Sequence, residues 1–479
     1  MTSWQTRTEL MAHQRAAADK LQGLRVGALF QDPGTGKTRT AIELAARRQH
    51  RVRRVVWLCP VAAKETIRQE ILKHTTFTSS DIHVFSDRTR PGRVPEAYWY
   101  VVGMESLSSS DRVTLALSGL IDDATLVVAD ESDMLRTPHA RRTLRATMLA
   151  APAWGRLILT GTPVPEGVHN LFAQMRFLDS RILGYRSWTA FSLDHVDWSE
   201  KFKGQIERIR DQDVLASRIG PYTYQVTREE CLDLPAQLWD PVFLDLTGEQ
   251  DEAYGQARWD LLDGVPDEEL TSAHIYRLFT ALQEIASGFY NRRHPLTGRM
   301  EHLTFRHRRL EALRYALGRV PAGEKVIVWV KFHHSLREVQ GLLDELGGAA
   351  LHHGQMTVRA RDAALAGWRD PAGPRFLLGT PGTGGRALTL NEARYAAFYQ
   401  RGFSYTENYQ AELRNHRIGQ RSAVTYLDVR AVCGIEDRIA AAYDRKSSVS
   451  AQFRREVGRV NDLQAVRSRL GDLFVRRVA

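Results

Sequence analysis

The chain has 479 residues, of which 43% are hydrophobic and 25% are charged, values ordinary for a soluble globular protein of about two or three domains. No stretch approaches the roughly eighteen apolar residues of a membrane span, and the opening MTSWQTRTEL lacks the apolar run of a signal peptide. The three cysteines have no CxxC spacing, which argues against a disulfide framework and a zinc knuckle and fits the reducing cytoplasm.

The charge balance indicates a polyanionic partner. Lys and Arg number 66 against 56 Asp and Glu, a net charge of +10. The segment from Lys446 onward repeats this excess, with eight basic residues against three acidic ones, and it reads as helical. We therefore expect this segment either to follow a phosphate backbone or to present a solvated helix surface.

Short apolar runs alternate with helical stretches along most of the chain. In chain order these runs are RRVVWLCP (53–60), YWYVVG (98–103), TLVVAD (125–130), RLILTG (156–161), KVIVWV (325–330) and RFLLGT (375–380). Runs rich in β-branched residues, separated by helices, are typical of parallel sheets covered by helices on both faces. The alternation therefore predicts an α/β fold.

The alternation stops between about 166 and 320, where charged helical stretches with aromatic residues dominate. This break predicts two α/β lobes separated by a mostly helical region. The resulting domains are a first lobe at 1–235 with a helical insertion from about 166, a helical linking region at 236–305, a second lobe at 306–445 and basic C-terminal helices at 446–479.

The strongest local pattern is ALFQDPGTGKTRTAIELAARR, a short apolar strand followed by a glycine-rich turn and a helix. Such a turn, a P-loop, surrounds phosphates with backbone N–H groups at the start of a helix. Lys37 would neutralise phosphate charge and Thr38 would offer its hydroxyl to Mg²⁺. The pattern departs from the usual one at Gln31, where glycine is common. The predicted nucleotide-binding residues here are Gly34, Thr35, Gly36, Lys37 and Thr38.

An acidic pair follows the strand TLVVAD. Asp130 is placed to bind Mg²⁺ and Glu131 to polarise the attacking water. Acidic residues often end strands without any catalytic role. Their position about ninety residues after a P-loop, in a chain with this alternation, favours the catalytic interpretation.

The ordered set DPGTGKT, DESD, LTGTP, GTGGRALTLNEA and QAELRNHRIGQ resembles helicase superfamily two, and within it the Swi/Snf group of double-stranded DNA translocases. The resemblance runs from about residue 10 to 446, and RxxRIGQ is its most group-specific part. It implies two tandem RecA-like P-loop lobes with a helical insertion between them and a helical C-terminal extension.

The resemblance also implies roles for individual residues. Gln14 would contact the adenine. Thr160, Gly161 and Thr162 would couple hydrolysis to lobe movement and DNA. Glycines of the second lobe would approach nucleotide (Gly385) and nucleic acid (Gly384), and Gln410, Arg414 and Arg417 would complete the ATP site from across the cleft.

Arg414 and Arg417 stand three residues apart, with Glu412 as the one acidic residue beside them. On a helix this spacing would place both guanidinium groups on one face. A basic, solvated helix surface is the simplest interpretation of such a pair. In this chain we predict instead that Arg417 is the finger on the γ-phosphate, supported by Arg414, because a P-loop lobe has no second cation for that charge.

The DNA path is less specified by the sequence. In the superfamily, loops after strands of both lobes hold the phosphate backbone; here they would be 60–66, 103–106 and 379–385. Lys64 is the predicted phosphate contact, beside a solvated-lysine alternative. A tryptophan expected in the first DNA-contacting motif is replaced by Ile67. Backbone contacts of this kind predict weak sequence preference and strong salt dependence.

Together these features predict an ATP- and Mg²⁺-dependent motor on duplex or branched DNA that remodels DNA or displaces bound protein. Two alternatives stay open: a strand-separating helicase at forks or recombination intermediates, and a nucleic-acid-binding ATP switch with little turnover. We expect a cytoplasmic, nucleoid-associated protein of bacterial or phage type, without membrane contact or accessory domains. It would act as a monomer, with replication, repair or recombination proteins as possible partners.

Overall fold

The computed structural model forms two compact units, called here the first and second lobes. The first comprises Met1–Asp197, Arg208–Asp233 and Arg386–Leu388, and the second comprises Trp198–Glu207, Leu234–Gly385 and Thr389–Ala479. The residues that the structure describes are 4–161, 163, 169–199, 206–266, 271–294, 297–384, 388–445, 470 and 472–474. Within them, no helix is both long enough and apolar enough to cross a membrane.

The first lobe is built on a seven-stranded parallel sheet in the order β3-β4-β2-β5-β6-β1-β9. Its strands are β1 (Val26–Gln31), β2 (Arg54–Cys59), β3 (Ile82–Val84), β4 (Trp99–Gly103), β5 (Thr125–Asp130), β6 (Gly155–Thr160) and β9 (Thr223–Val226). A separate two-stranded sheet pairs β7 (Val196–Trp198) with β8 (Ile206–Ile209).

Helices accompany these strands along the chain. They are α1 (Ala12–Leu21), α2 (Lys37–Arg47), α3 (Lys64–His74), α4 (Ser106–Ser109), α5 (Asp111–Ser118), α6 (Arg141–Ala150), α7 (Asn170–Leu178), α8 (Trp188–His195), α9 (Gln212–Ile219) and α10 (Arg228–Cys231). The central strands are buried on both faces, as the uninterrupted apolar runs predict for a covered parallel sheet.

The second lobe is built on a six-stranded parallel sheet in the order β10-β17-β16-β13-β15-β14. Its strands are β10 (Gln237–Leu244), β13 (Val326–Trp329), β14 (Ala349–His352), β15 (Phe376–Gly379), β16 (Tyr395–Phe398) and β17 (Val424–Ala431). An antiparallel hairpin joins β11 (Phe289–Arg293) to β12 (Met300–Thr304). The prediction of two α/β lobes with parallel sheets is confirmed.

The helices of this lobe are α11 (Gly248–Arg258), α12 (Ser272–Ala286), α13 (Arg309–Gly318), α14 (His333–Glu345), α15 (Val358–Arg369), α16 (Pro381–Gly384), α17 (Tyr405–Glu412) and α18 (Gly434–Asp444). The region expected to be mostly helical, 166–320, also contains strands: β9 extends the first sheet and β10 the second. The C-terminal helices predicted from 446 lie outside the described residues, except for Leu470 and Asp472–Phe474.

β10 forms one edge of the second sheet and contains a proline. The carbonyl groups of Ala236 and Leu244 accept hydrogen bonds from β17, at Val424 N (2.9 Å) and Val432 N (2.8 Å). Because backbone groups alternate along a strand, Pro241 directs its nitrogen toward the free edge. The proline therefore removes no hydrogen bond from the sheet.

Candidate active site

The carboxyl edge of the first sheet brings the predicted motifs together. β5, β6 and β1 are neighbours in the sheet, so the acidic pair, the Thr160–Gly161 turn and the P-loop leave it side by side. β4 and β2 are neighbours on the other side of β5, and the loops that follow them include the predicted DNA-binding segments. Ligands of open α/β sheets bind at this edge.

Glycine conformations shape the P-loop. Gly34 has a φ angle of 89° and Gly36 one of 83°, both in the left-handed region that favours glycine. Gly36 ends the loop and α2 begins at Lys37, so the start of the helix, where N–H groups lack an acceptor one turn earlier in the helix, lies at the loop. The Thr35 hydroxyl closes the turn by donating a hydrogen bond to Asp32 O at 2.8 Å. This geometry suits an anionic phosphate group.

Two side chains of α1 bind the P-loop backbone directly. Gln14 Nε2 donates to Thr35 O at 3.1 Å, and His13 Nε2 lies 2.8 Å from the same oxygen. A Cβ atom on Gly36 would come within 2.2 Å of Gln14 Nε2, so a side chain at this position would displace the amide from the loop. The structure thus places Gln14 at the nucleotide loop, and its contact with adenine stays a prediction.

Lys37 is held inside the loop that it closes. Its amine donates to Gln31 O at 2.7 Å, and the side chain is buried. Gln31, where the usual pattern has glycine, is the last residue of β1 and pairs with Val226 of β9. The departure from the P-loop pattern therefore extends the strand and leaves the turn at Gly34 and Gly36 intact. Thr38, one residue beyond Lys37, is half-buried at the helix start.

The acidic pair combines a buried carboxyl group with a strained backbone. Burial, reinforced by the neighbouring Glu131 carboxylate, raises the pKa of Asp130 to about 7 from its ordinary value of 3.8. Glu131 has a φ angle of 50°, unusual outside glycine, and its N–H donates to Asp130 Oδ1 at 2.9 Å. Glu131 Oε2 is buried without a hydrogen-bond partner among the described residues. Such an orphaned carboxylate oxygen is available to orient a water.

Thr160 and Gly161 lie against the P-loop. Thr160 ends β6 and is fully buried. A Cβ atom on Gly161 would lie 2.5 Å from Pro33 Cδ, so the chain passes the P-loop at a distance that only glycine permits. Thr162, the other predicted residue of this motif, lies outside the described residues.

Gln174 is a residue of this site that motif reading missed. Ser132 Oγ, in the acidic segment, donates to Gln174 Oε1 at 2.7 Å. Gln174 Nε2 in turn donates to Pro163 O at 2.9 Å, in the segment after Gly161. The glutamine is fully buried in α7 and bridges two motifs. A glutamine flanked by apolar residues in the stretch LFAQM could have indicated it.

The two predicted DNA-binding segments of the first lobe also meet. Val61 N donates to Glu105 Oε2 at 2.9 Å, linking the loop after β2 to the one after β4. Lys64 Nζ donates to Phe85 O at 2.7 Å, so the predicted phosphate contact is engaged with the protein backbone here. Ile67 is buried in the lobe core, which explains why an apolar residue suits this position.

The predicted helical arrangement of Arg414 and Arg417 is wrong. α17 ends at Glu412, and both arginines lie in the turns that follow it. Arg414 is buried and its carbonyl accepts from Leu390 N at 2.9 Å, while Arg417 is partly exposed. Gly419, with a φ angle of 98°, then reverses the chain. Backbone contacts to the 390–391 segment replace helical hydrogen bonds here, so a shared helix face no longer links the two side chains.

A buried ionic network anchors the segment that leads to these arginines. Arg401 Nη1 donates to Glu412 Oε1 at 2.8 Å and its Nε to Asp428 Oδ2 at 3.0 Å. Tyr443 donates its hydroxyl to the other oxygen of Glu412. Burial alone would lower the pKa of Arg401, but the two carboxylates raise it. Glu412, the acidic residue beside the arginine pair in sequence, thus serves to fix the end of α17.

The remaining predicted residues of the second lobe are only partly described. Gln410 is buried in α17, two residues before Glu412. Gly384 is the last residue of α16, which begins at Pro381 after the carboxyl end of β15. Gly385 lies outside the described residues. Their assignment to nucleotide and DNA binding stays a prediction.

The residues of the first lobe fit a nucleoside triphosphate with a divalent cation. The left-handed glycines and the first turn of α2 form an anion cradle, and Lys37 supplies a positive charge. Thr38 and Asp130 provide the hydroxyl and carboxylate oxygens that Mg²⁺ prefers. The orphaned Glu131 oxygen adds a general base or water-orienting group.

Comparison with known proteins gives matches over both lobes. The SNF2-related domain matches residues 15–293 and the helicase conserved C-terminal domain matches residues 308–419. The chain is 23% identical over 346 residues to the putative ATP-dependent helicase/translocase YwqA of Bacillus subtilis, covering 68% of this chain and 35% of that protein. It is also 23% identical over 341 residues to mouse DNA excision repair protein ERCC-6, covering 65% of this chain and 22% of the relative.

The chain therefore spans about a third or less of the length of these curated relatives. Among solved structures, it is similar to the Sulfolobus solfataricus SWI2/SNF2 ATPase core in complex with dsDNA. That likeness has 18% identity and a TM-score of 0.43, and it covers 100% of this chain and 99% of the other.

Proposed function

Because the chain belongs to the SNF2-related family, we propose that it is an ATP-driven translocase on duplex or branched DNA. One observation carries the proposal: a single sheet edge holds the P-loop, the acidic pair, the Thr160–Gly161 turn and the two predicted DNA-binding loops of the first lobe. Nucleotide and DNA would thus act on the same rigid edge. The product of each cycle would be ADP, phosphate and a displacement along the duplex.

The phosphates of ATP would take the place that Gln31 O now has on Lys37, and the amides of the first turn of α2 would bind them. Thr38 and Asp130 would hold Mg²⁺, which would supply positive charge against the negative charge that develops on the phosphates. Asp130 must lose its proton to serve as a ligand, and the positive charge brought by Lys37 favours that ionisation. Glu131 would orient the attacking water.

Hydrolysis would require the second lobe. The first lobe has Lys37 for the phosphates, and an arginine supplied from another domain is worth about 10³ to 10⁵ in rate. We propose that Arg417 supplies it, with Arg414 as support and Gln410 as a further nucleotide contact. DNA bound to both lobes would favour the closed arrangement, which makes ATP turnover dependent on DNA.

The test is ATP hydrolysis measured with no polymer, single-stranded DNA, duplex DNA, branched DNA and RNA. We expect duplex or branched DNA to stimulate hydrolysis most, and triplex displacement to occur without strand separation. Equal stimulation by RNA alone would contradict the assignment to DNA. Unwinding of a forked duplex would instead favour a strand-separating helicase.

Glu131→Gln separates a motor from a nucleotide switch. In a motor, the variant binds ATP and DNA but loses hydrolysis and triplex displacement together, because Glu131 orients the water. A variant that loses hydrolysis yet keeps displacement would show that turnover does not drive the activity. Glu96→Gln, which removes an exposed carboxylate of the first lobe outside the predicted loops, controls for the loss of charge.

A further inference from the structure

The hairpin of β11 and β12 stands on two buried aromatic residues. Phe289 pairs with Thr304 and Tyr290 with Leu303 at its base, and both aromatic side chains are buried. Toward the turn, Arg293 pairs with Met300, and both are exposed. The base is therefore fixed in the lobe core while the outer end projects into solvent.

The hairpin lies at the carboxyl end of β13. The Phe289 ring is 5.2 Å from that of Phe332 and 4.3 Å from that of His334, both just after this strand. His302 of β12 lies 4.7 Å from the same His334 ring. β13 is also the neighbour of β15, whose carboxyl end leads into the predicted DNA-binding segment 379–385. The hairpin thus shares the sheet edge at which α/β folds bind ligands.

The hairpin and the residues that follow it are strongly basic. Residues 289–309 contain six arginines and one acidic residue, Glu301, which pairs with Arg292 at 3.2 Å. Within the part of the chain that the structure describes, four exposed arginines of this segment donate no side-chain hydrogen bond and form no ion pair. They are Arg293, Arg299, Arg306 and Arg308. Exposed guanidinium groups that form no ion pair present uncompensated charge to solvent.

We propose that this basic hairpin binds the phosphate backbone of DNA, as a contact of the second lobe outside the recognised motifs. The inference rests on the proposed function, because that function names DNA as the polymer. One guanidinium group can donate two parallel hydrogen bonds to a phosphate group, so a cluster of arginines is well suited to bind a phosphate backbone. A five-residue strand is about 17 Å long and spans several phosphates of one strand. The contact is independent of sequence, because only backbone charge is recognised.

The experiment compares wild type with Arg293→Ala/Arg299→Ala, measuring duplex DNA binding by fluorescence anisotropy between about 50 and 200 mM salt. Each lost phosphate contact lowers the slope of log K against log salt by about 0.9, so the double variant should lose about 1.8. We expect its affinity at the lowest salt to fall by about 10-fold or more. The temperature of thermal unfolding should match wild type, because both side chains are exposed.

Arg51→Ala/Arg53→Ala is the matched control. These two arginines are also exposed, but they precede β2 at the amino edge of the first sheet, opposite the DNA-binding loops. The control should keep the wild-type salt slope. If the hairpin variant behaves like the control, the hairpin inference is wrong. If wild type binds DNA without any stimulation of hydrolysis, the proposed motor fails while the salt slope still tests the hairpin.

Discussion

The two halves of the predicted active site are built by different means. In the first lobe, backbone conformation does most of the positioning: left-handed glycines, a helix start and carbonyl groups that hold Lys37 and Gln14. In the second lobe, the arginine segment follows a helix end fixed by buried charges that are distant in sequence. The difference teaches that a motif can encode the first kind of site almost completely, whereas the second also depends on residues outside the motif.

The largest expected effect tests whether the arginine segment of the second lobe takes part in ATP hydrolysis. Arg417→Ala should lower single-turnover ATP hydrolysis by about 10³-fold or more, because the γ-phosphate loses its second cation. Binding of a fluorescent ATP analogue should stay near wild type, since the P-loop is untouched. Arg421→Ala, at an exposed position of the same segment, should retain hydrolysis. Near-normal turnover in Arg417→Ala would reduce the arginine segment to a structural element.

The buried network gives the next largest effect, on stability. Glu412→Gln removes a carboxylate from the buried Arg401 and should lower the free energy of unfolding by about 3 kcal/mol. Urea unfolding followed by fluorescence measures it. Glu345→Gln breaks an ion pair with Arg314 whose side chains are 52% and 63% exposed, and should cost less than about 1 kcal/mol. Equal losses in the two variants would show that the network is not what anchors α17.

Gln174 sharpens the comparison because here a side chain, and not the backbone, links two motifs of the first lobe. Gln174→Ala leaves Ser132 Oγ and Pro163 O without their hydrogen bonds to this amide. The free energy of unfolding should fall by about 1 to 3 kcal/mol. We expect kcat for ATP to fall about 10-fold with KM little changed, because nucleotide contacts are preserved. Gln256→Ala, at an exposed position, is the control. A rise in KM alone would contradict a positioning role.

Lys331, which is half-buried, tests whether charged side chains of the second lobe that are withdrawn from solvent all belong to ion networks. Burial lowers its pKa to about 7, although nearby carboxylates, chiefly Glu284, act in the opposite direction. The unfolded chain then binds more protons than the folded one from about pH 7 to 10, so stability rises with pH there by at most about 1.4 kcal/mol per pH unit.

Lys331→Met should remove this rise, so its stability relative to wild type is greatest at or below pH 7 and declines toward pH 10. Thermal unfolding at several pH values measures the difference. Lys73→Met, which removes one exposed positive charge from α3, is the control. A difference between Lys331→Met and wild type that does not vary with pH would show that Lys331 titrates outside this window.

Local patterns explain which parts of the fold could be predicted. The runs at 53–60 and 125–130 correspond to β2 and β5, since long β-branched runs form buried strands whatever surrounds them. β14 and β16, with the sequences AALH and YAAF, carry no β-branched residue and become strands through their neighbours in the sheet. Pairing between distant segments is not visible in a single local pattern.

The same distinction applies to the site. The positions of Lys37, Asp130 and Gly161 at one sheet edge could be predicted from sequence, because each lies at a strand end or in the turn after it, and their roles stay predictions. The bridge made by Gln174 and the anchoring of Glu412 by Arg401 required the fold, because their partners lie eleven or more residues away. The arginine spacing misled for the same reason, since it presumed a helix where tertiary contacts impose turns.

Pro241 affects whether β10 can pair with a strand of another protein molecule. β10 is an edge strand with two exposed aromatic residues, Trp239 and Phe243. An exposed apolar edge strand of this kind can pair with another extended chain. A strand laid along this edge would find no N–H group at Pro241, between the two aromatics. The ring interrupts such pairing at its midpoint and costs the lobe no hydrogen bond of its own. Pro241 thus makes this edge a poorer template for pairing with another extended chain.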